Sequence, residues 1–119
     1  MKLNYITIMV RDLEKSLDFY CGLISLKILR ELKPPQGRIV FAADGEGDTM
    51  LELIQFDQAE KVRAEGMVIS FLSKEPLEKL REKAIEMGYQ PSDILSQPPK
   101  PPHFTVADPD GLTVEISEA

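Results

Sequence analysis

The alternation of apolar and polar residues along the chain predicts a first module that begins with a strand and a helix. Residues 3–10 are rich in Ile and Val and predict a strand, and Asp12 then precedes apolar residues at helical spacing. We expect Asp12 to cap this helix at its start and Gly22 to end it. Three further strands are predicted at 26–33, 37–43 and 49–56.

The second half of the chain predicts the same order of elements. A strand at 67–72 is followed by a helix with Pro76 at its first position and Gly88 at its end. Its apolar stripe consists of Leu77, Leu80, Ala84, Ile85 and Met87. Strands follow at 89–95, 102–107 and 112–117, with a turn at 108–111. The proline-rich run 98–102 predicts a stiff connection, because proline cannot donate ladder hydrogen bonds.

An internal repeat relates the two halves. Residues 5–9 align with 68–72 at a shift of 63 (68 − 5), and the shift from Glu52 to Glu115 is also 63 (115 − 52). The repeat predicts an α+β fold of two tandem βαβββ modules, in which helices cover the outer face of a curled mixed sheet around a cavity. We expect one domain, with module one at 1–57, a connector at 58–65 and module two at 66–119.

A glutamate interrupts an apolar strand at the same place in each module. Leu51 and Leu53 share one strand face, whereas Glu52 shares the other face with apolar neighbours; Glu115 has the same setting. A carboxylate in such surroundings has to be paired, hydrated, neutralised or bound to metal. We therefore predict that Glu52 and Glu115 line one common cavity.

The register of the last hairpin decides whether His103 and Thr105 also line the cavity. With a loop at 109–111, Thr105 lies beside Glu115 and His103 beside Ser117, all on the cavity side. A loop longer by one residue turns both side chains to the other face, and the sequence leaves the two registers open. Arg38 also has two interpretations: it pairs with Glu52 or an anionic ligand, or it is a solvated arginine at a sheet edge.

Composition narrows the classes of partner. The chain has 119 residues and a net charge of −6, which argues against nucleic acid and acidic membranes and leaves a cationic small molecule open. Cys21 is the only cysteine and is expected in the core, so no internal disulfide forms. We expect a cytoplasmic protein, since neither a signal peptide nor a membrane-length apolar run is seen.

The duplication resembles the vicinal-oxygen-chelate superfamily, which includes glyoxalase I, extradiol dioxygenases and bleomycin-resistance proteins. The matching stretches are 3–20, 50–54 and 108–116, and together the resemblance covers essentially the whole chain. It implies the fold; it does not define the activity, because this fold hosts many chemistries.

The resemblance also implies where a metal would bind. In glyoxalase-like members, ligands come from the first strand of each module and from a glutamate on the last. The glutamate positions correspond to Glu52 and Glu115, but the first-strand positions, usually histidine, are Tyr5 and Val68. Valine cannot bind a metal and neutral tyrosine is a poor ligand for such ions. The ligand set is therefore incomplete, although a hard cation held by two carboxylates and water is left open.

We favour a small-molecule binding protein similar to the bleomycin-resistance branch, working without a complete metal site and, by resemblance, as a homodimer. The ligand would contact Tyr5, Arg38, Glu52, Val68, His103, Thr105 and Glu115. One alternative is a metal-dependent lyase or isomerase of glyoxalase I type. Another is a metal-free enzyme in which an apolar pocket raises the pKa of Glu115 so that it acts as a base. The last is a scaffold dimer whose glutamates make structural hydrogen bonds.

Overall fold

The computed structural model describes all 119 residues as two compact units, Met1–Arg63 and Ala64–Ala119. Each unit combines helix with its own sheet of parallel and antiparallel strands, which confirms the predicted α+β fold. None of the helices is long and apolar enough to cross a membrane.

The first unit contains the predicted βαβββ module. Its elements are β1 (Tyr5–Met9), α1 (Leu13–Leu17) with a π-helical continuation (Asp18–Leu23), β2 (Lys27–Leu32), β3 (Gly37–Ala43) and β4 (Met50–Phe56). The strand order is β1-β4-β3-β2, and the first and last strands of the module pair in parallel. This pairing places β1 directly beside the strand that carries Glu52.

The first helix begins as predicted but ends later. The side chain of Asp12 accepts a hydrogen bond of 3.2 Å from the Lys15 backbone, which satisfies one of the free N–H groups at the helix start. The prediction that Gly22 ends the helix is wrong, because the π-helical turn continues through it to Leu23. The left-handed residue that follows the helix is Ser25, at φ +68°.

The second unit has the same order of elements with one strand missing. It contains β5 (Val68–Leu72), α2 (Leu77–Glu86), β6 (His103–Ala107) and β7 (Thr113–Ser117), in the sheet order β5-β7-β6. The strand predicted at 89–95 is reduced to a single bridge between Leu95 and His103. Pro91 has no N–H to donate, and the Ser92 hydroxyl replaces a backbone carbonyl as acceptor for the Thr105 N–H. A regular ladder therefore does not form along this edge.

The prediction for the end of α2 holds, whereas Pro76 is the N-cap residue and not the first helical residue, and one position of the stripe also differs. Pro76 directly precedes the helix, and Gly88 follows it at φ +92°, a conformation that favours glycine. Leu77, Leu80 and Ala84 are buried, as the stripe predicts. Ile85 is half exposed, because it lies at the margin of the apolar face.

In both units one sheet face is apolar and buried. Leu51 and Leu53 of β4 and Val114 and Ile116 of β7 are at most 6% exposed. In the first unit the Leu13 N–H donates to the Gln55 side chain, which fixes the start of α1 over this face. The opposite face of each sheet carries the glutamates.

Candidate functional site

In the first unit Glu52 lies in the middle of a row of three strands. Its Cα partners are Thr7 on β1 and Phe41 on β3, so all three side chains share one face. The Thr7 hydroxyl donates a hydrogen bond of 2.5 Å to Oε1 of Glu52. Glu52 is half buried, and within this unit its carboxylate contacts no basic side chain. It is therefore a carboxylate with one hydrogen bond and no counter-charge.

Two aromatic rings flank this carboxylate. Tyr5 lies opposite Met50, one row from Glu52 on the same face, and it is 40% exposed. Its ring meets that of Phe41 edge to face, with centroids 5.4 Å apart. The Glu52 face thus combines an anionic group with an accessible aromatic pair.

Arg38 does not pair with Glu52. Its Cα partner on β4 is Gln55, and since side chains alternate along a strand, it lies on the face opposite Glu52. Its guanidinium instead binds the carboxylates of Glu14 and Glu31. These two hydrogen bonds raise the pKa of Arg38, and the one with Glu14 contributes most. The hydrogen bond from Arg38 also lowers the pKa of Glu31. The interpretation of Arg38 as a partner of Glu52 is therefore wrong.

In the second unit Glu115 holds the equivalent position with a fuller set of partners. It lies between Ser70 on β5 and Thr105 on β6, and it is 9% exposed. The Ser70 hydroxyl donates to Oε1 at 2.9 Å, and the Lys100 ammonium donates to Oε2 at 2.5 Å. Both carboxylate oxygens are thus engaged within the unit.

These contacts set the protonation of Glu115. The hydrogen bond from Lys100 is the main cause of a lowered pKa, the hydrogen bond from Ser70 adds to it, and the desolvation of the carboxylate opposes both. The hypothesis that an apolar pocket raises the pKa of Glu115 is contradicted. The burial is real, but the ammonium placed on the carboxylate outweighs it.

The last hairpin takes the register with the shorter loop. Thr105 is the partner of Glu115 and His103 the partner of Ser117, so all four share one face. Asp108 closes the turn by accepting from the N–H groups of Asp110 and Leu112 at 2.8 and 2.9 Å. His103 is 6% exposed, and its Nδ1 lies 3.0 Å from the Pro101 carbonyl, which can only accept. The Nδ1–H group is therefore the donor in this contact.

Lys100 reaches Glu115 because the chain before β6 is held at both ends. We call residues 96–102 the proline segment. The backbones of Leu95 and His103 exchange two hydrogen bonds, of 2.8 and 3.0 Å, at its base, and the Lys100 N–H bonds to Gln97 within it. The last residue of the segment, Pro102, accepts a further hydrogen bond through its carbonyl from the Glu118 N–H. The segment thus delivers an ammonium to a buried acid.

Three of these partners were not predicted. Thr7 and Ser70 are themselves related by the 63-residue repeat and face the glutamates through parallel pairing of the first and last strands. A hydroxyl repeated together with an acid was the signal that could have identified both. Lys100 had no such signal, because its direction depends on the path of the proline segment.

The fold and the sequence together define the protein family. A model of the glyoxalase/bleomycin resistance protein/dioxygenase superfamily matches residues 2–116, so the chain belongs to this superfamily. A lactoylglutathione lyase of Neisseria meningitidis is 31% identical over 98% of this chain and 89% of its own length.

Solved structures share the fold at lower identity. The trypanothione-dependent glyoxalase I of Leishmania major superposes with a TM-score of 0.80 at 22% identity, covering 99% of this chain and 86% of that one. The antibiotic-binding protein TnmS3 of Streptomyces sp. CB03234 superposes with a TM-score of 0.76 at 20% identity, covering 99% and 95%. At such identities the likeness shows the fold alone.

The residues present do not fit the metal centre that the family implies. Tyr5 stands where an imidazole is expected, and Val68, 55% exposed opposite Thr113, has no donor atom. In the second unit the Lys100 ammonium occupies Oε2 of Glu115, and a divalent cation would have to displace it. We therefore derive no chemical step through a metal.

Proposed function

We propose that this protein binds a small organic molecule at the sheet faces that carry Glu52 and Glu115, without a complete metal site. The observation that carries the proposal is the occupation of both oxygens of Glu115 by Ser70 and Lys100. A carboxylate held in this way acts as a fixed polar surface; it offers neither a free metal ligand nor a base. That both glutamates contact one bound molecule stays a prediction.

Exposed apolar residues around the polar groups support a ligand-binding role. Tyr5 on the Glu52 face is 40% exposed, and Val68 and Leu72 on the Glu115 face are 55% and 67% exposed. On the second face Thr105 and His103 add a hydroxyl and an imidazole beside the glutamate. Apolar area with a few fixed polar groups is typical of small-molecule sites.

Ligand binding should raise the melting temperature by mass action. A thermal-shift panel of amphipathic small molecules tests this, with Glu52→Gln and Tyr5→Leu as variants that should weaken any shift. The matched control is Glu78→Gln, which removes the same charge from the exposed face of α2. A broad panel that produces no shift counts against the proposal.

A metal-dependent lyase is the second candidate, favoured by the 31% identity to a lactoylglutathione lyase. Glu52 would then be the residue that moves a proton, because it is the carboxylate without a basic partner in its unit. Lactoylglutathione lyase activity that requires added Zn²⁺ or Ni²⁺, and that Glu52→Gln abolishes, would favour this candidate over the binding protein.

Homodimerisation is a further part of the proposal. Closed twofold dimers are the commonest soluble assemblies, and the exposed apolar residues on both faces support one. Light scattering coupled to size-exclusion chromatography tests it: a mass near twice 13.4 kDa is expected, and a monomer at all concentrations would contradict it.

A further inference from the structure

The second unit shows how this fold satisfies a carboxylate on its polar sheet face. Glu115 receives one hydroxyl from the neighbouring parallel strand and one ammonium from the proline segment. The ammonium comes from Lys100, five residues before Thr105, the residue opposite Glu115 on the antiparallel strand. The hydroxyl and the ammonium together provide a donor for each carboxylate oxygen of Glu115.

The first unit repeats the hydroxyl and lacks the ammonium. Thr7 donates to Glu52 as Ser70 donates to Glu115. Five residues before Phe41, the residue opposite Glu52, the chain has Gln36, which carries no charge. The nearby cation on β3, Arg38, is on the other face and binds Glu14 and Glu31. Oε2 of Glu52 is therefore left without a hydrogen-bond or ionic partner in its own unit.

The surroundings of this oxygen suit an organic cation better than a bare metal ion. Tyr5 and Phe41 present aromatic rings beside Glu52, and ring faces attract ammonium and guanidinium groups within about 6 Å of the centroid. A metal ion would need further oxygen or nitrogen ligands, whereas an alkylammonium needs one carboxylate and apolar surface for its carbon chain.

We propose that the Glu52 face binds the ammonium or guanidinium end of an amphipathic ligand, with Tyr5 and Phe41 contacting the apolar part beside it. The external cation takes the role toward Glu52 that Lys100 takes toward Glu115. This inference rests on the proposed small-molecule function and names its ligand class.

Three probes of nearly equal size test the ligand class. They are 4-phenylbutylammonium, 4-phenylbutanol and 4-phenylbutanoate, titrated into the protein at pH 7 and followed by chemical-shift changes in amide NMR spectra. We expect the ammonium to bind at least about tenfold more tightly than the alcohol, and the carboxylate to bind most weakly, because a charge-assisted hydrogen bond adds to the shared apolar contact.

Two variants locate the site. Glu52→Gln is nearly isosteric and should remove the preference for the ammonium over the alcohol, whereas Glu78→Gln should leave it unchanged. Tyr5→Leu should weaken binding of the ammonium probe more than binding of the alcohol probe, since leucine keeps apolar area without the ring face. The amide spectra report at the same time whether each variant is folded.

The outcomes separate this inference from the broader function. Equal binding of ammonium and alcohol, with shifts on the β1 and β4 amides, would overturn the cation class and leave the small-molecule function standing. An ammonium preference that survives Glu52→Gln would overturn the placement of the cation at this residue. Failure of all three probes to bind would count against the cation site and the proposed function together.

Discussion

Glu52 and Glu115 occupy the same position in the two modules and differ in what surrounds them. Both are central residues of a three-strand row, and each accepts from a hydroxyl on the parallel neighbour. Only Glu115 has an ammonium from its own unit, and it is the more deeply buried of the two. The two modules share the acid and its hydroxyl, but only the second module supplies a cation to its acid, from the segment that precedes its antiparallel strand.

The largest expected effect comes from removing the internal cation. Lys100→Met keeps most of the length of the side chain but leaves Glu115 buried without its counter-charge, and we expect the free energy of unfolding to fall by about 1–2 kcal/mol. The value is below that of a fully buried pair because the Lys100 side chain is 57% exposed. Urea denaturation measures the change.

The matched control is Lys27→Met, which removes the same charge from an exposed position of β2 and should change stability by less than about 0.5 kcal/mol. Adding Glu115→Gln to Lys100→Met should recover part of the loss, because the glutamine is neutral. Equal losses of unfolding free energy for Lys100→Met and Lys27→Met would contradict the stabilising role of the Lys100–Glu115 pair that distinguishes the second module.

The second expected effect is a pH dependence that belongs to Glu115. Its pKa in the folded protein lies below its ordinary value, because of the hydrogen bonds from Lys100 and Ser70. The group therefore contributes stability above the unfolded-state pKa of about 4.3, and this contribution is lost as the pH falls through the lower, folded-state pKa. Wild type should thus exceed Glu115→Gln in unfolding free energy most at pH 7, with the difference shrinking toward pH 3.

Denaturation of both proteins at several pH values measures this difference. In the Lys100→Met background this difference should depend less on pH, since the main cause of the lowered pKa of Glu115 is then absent. A difference that grows as the pH falls would have the wrong sign for a carboxylate stabilised in its charged form.

The smallest expected effects concern the two hydroxyls. Ser70→Ala removes a donor to the more buried acid and should cost about 1 kcal/mol, whereas Thr7→Val removes a donor to a half-buried acid and should cost about 0.5 kcal/mol. Valine also keeps the branched shape that suits a strand. A larger loss of stability for Thr7→Val than for Ser70→Ala would contradict the expectation that the more buried acid depends more on its hydroxyl donor.

Much of the fold could be predicted because repetition and alternation act along the sequence itself. The 63-residue shift identified Glu52 and Glu115 as equivalent, and the turn at 108–111 reduced the last hairpin to two registers, of which the structure takes the one that places Thr105 beside Glu115. Whether Arg38 pairs with Glu52 could not be decided from the sequence, because the face of Arg38 relative to Glu52 depends on how β3 pairs with β4, and single-strand patterns do not contain this pairing.

The remaining errors come from backbone paths that local propensity does not determine. Gly22 signals a helix end, yet the buried side chains of Phe19, Tyr20 and Leu23 hold a wider turn that passes through it. Residues 89–95 have strand-like composition, but Pro91 and the Ser92 side chain interrupt the ladder. The contact of Lys100 with Glu115 needs the three-dimensional course of the proline segment, so it could only be found in the structure.

The central claim is that Glu52 and Glu115 do not form a metal site. Calorimetric titration of Ni²⁺ and Zn²⁺ into the wild-type protein, Glu52→Gln and Glu115→Gln tests it most directly. We expect no ion to bind the wild-type chain at micromolar concentration, because Lys100 occupies Glu115 and the first-strand positions hold Tyr5 and Val68 in place of imidazoles. One tightly bound ion per wild-type chain, lost in both Glu52→Gln and Glu115→Gln, would contradict it.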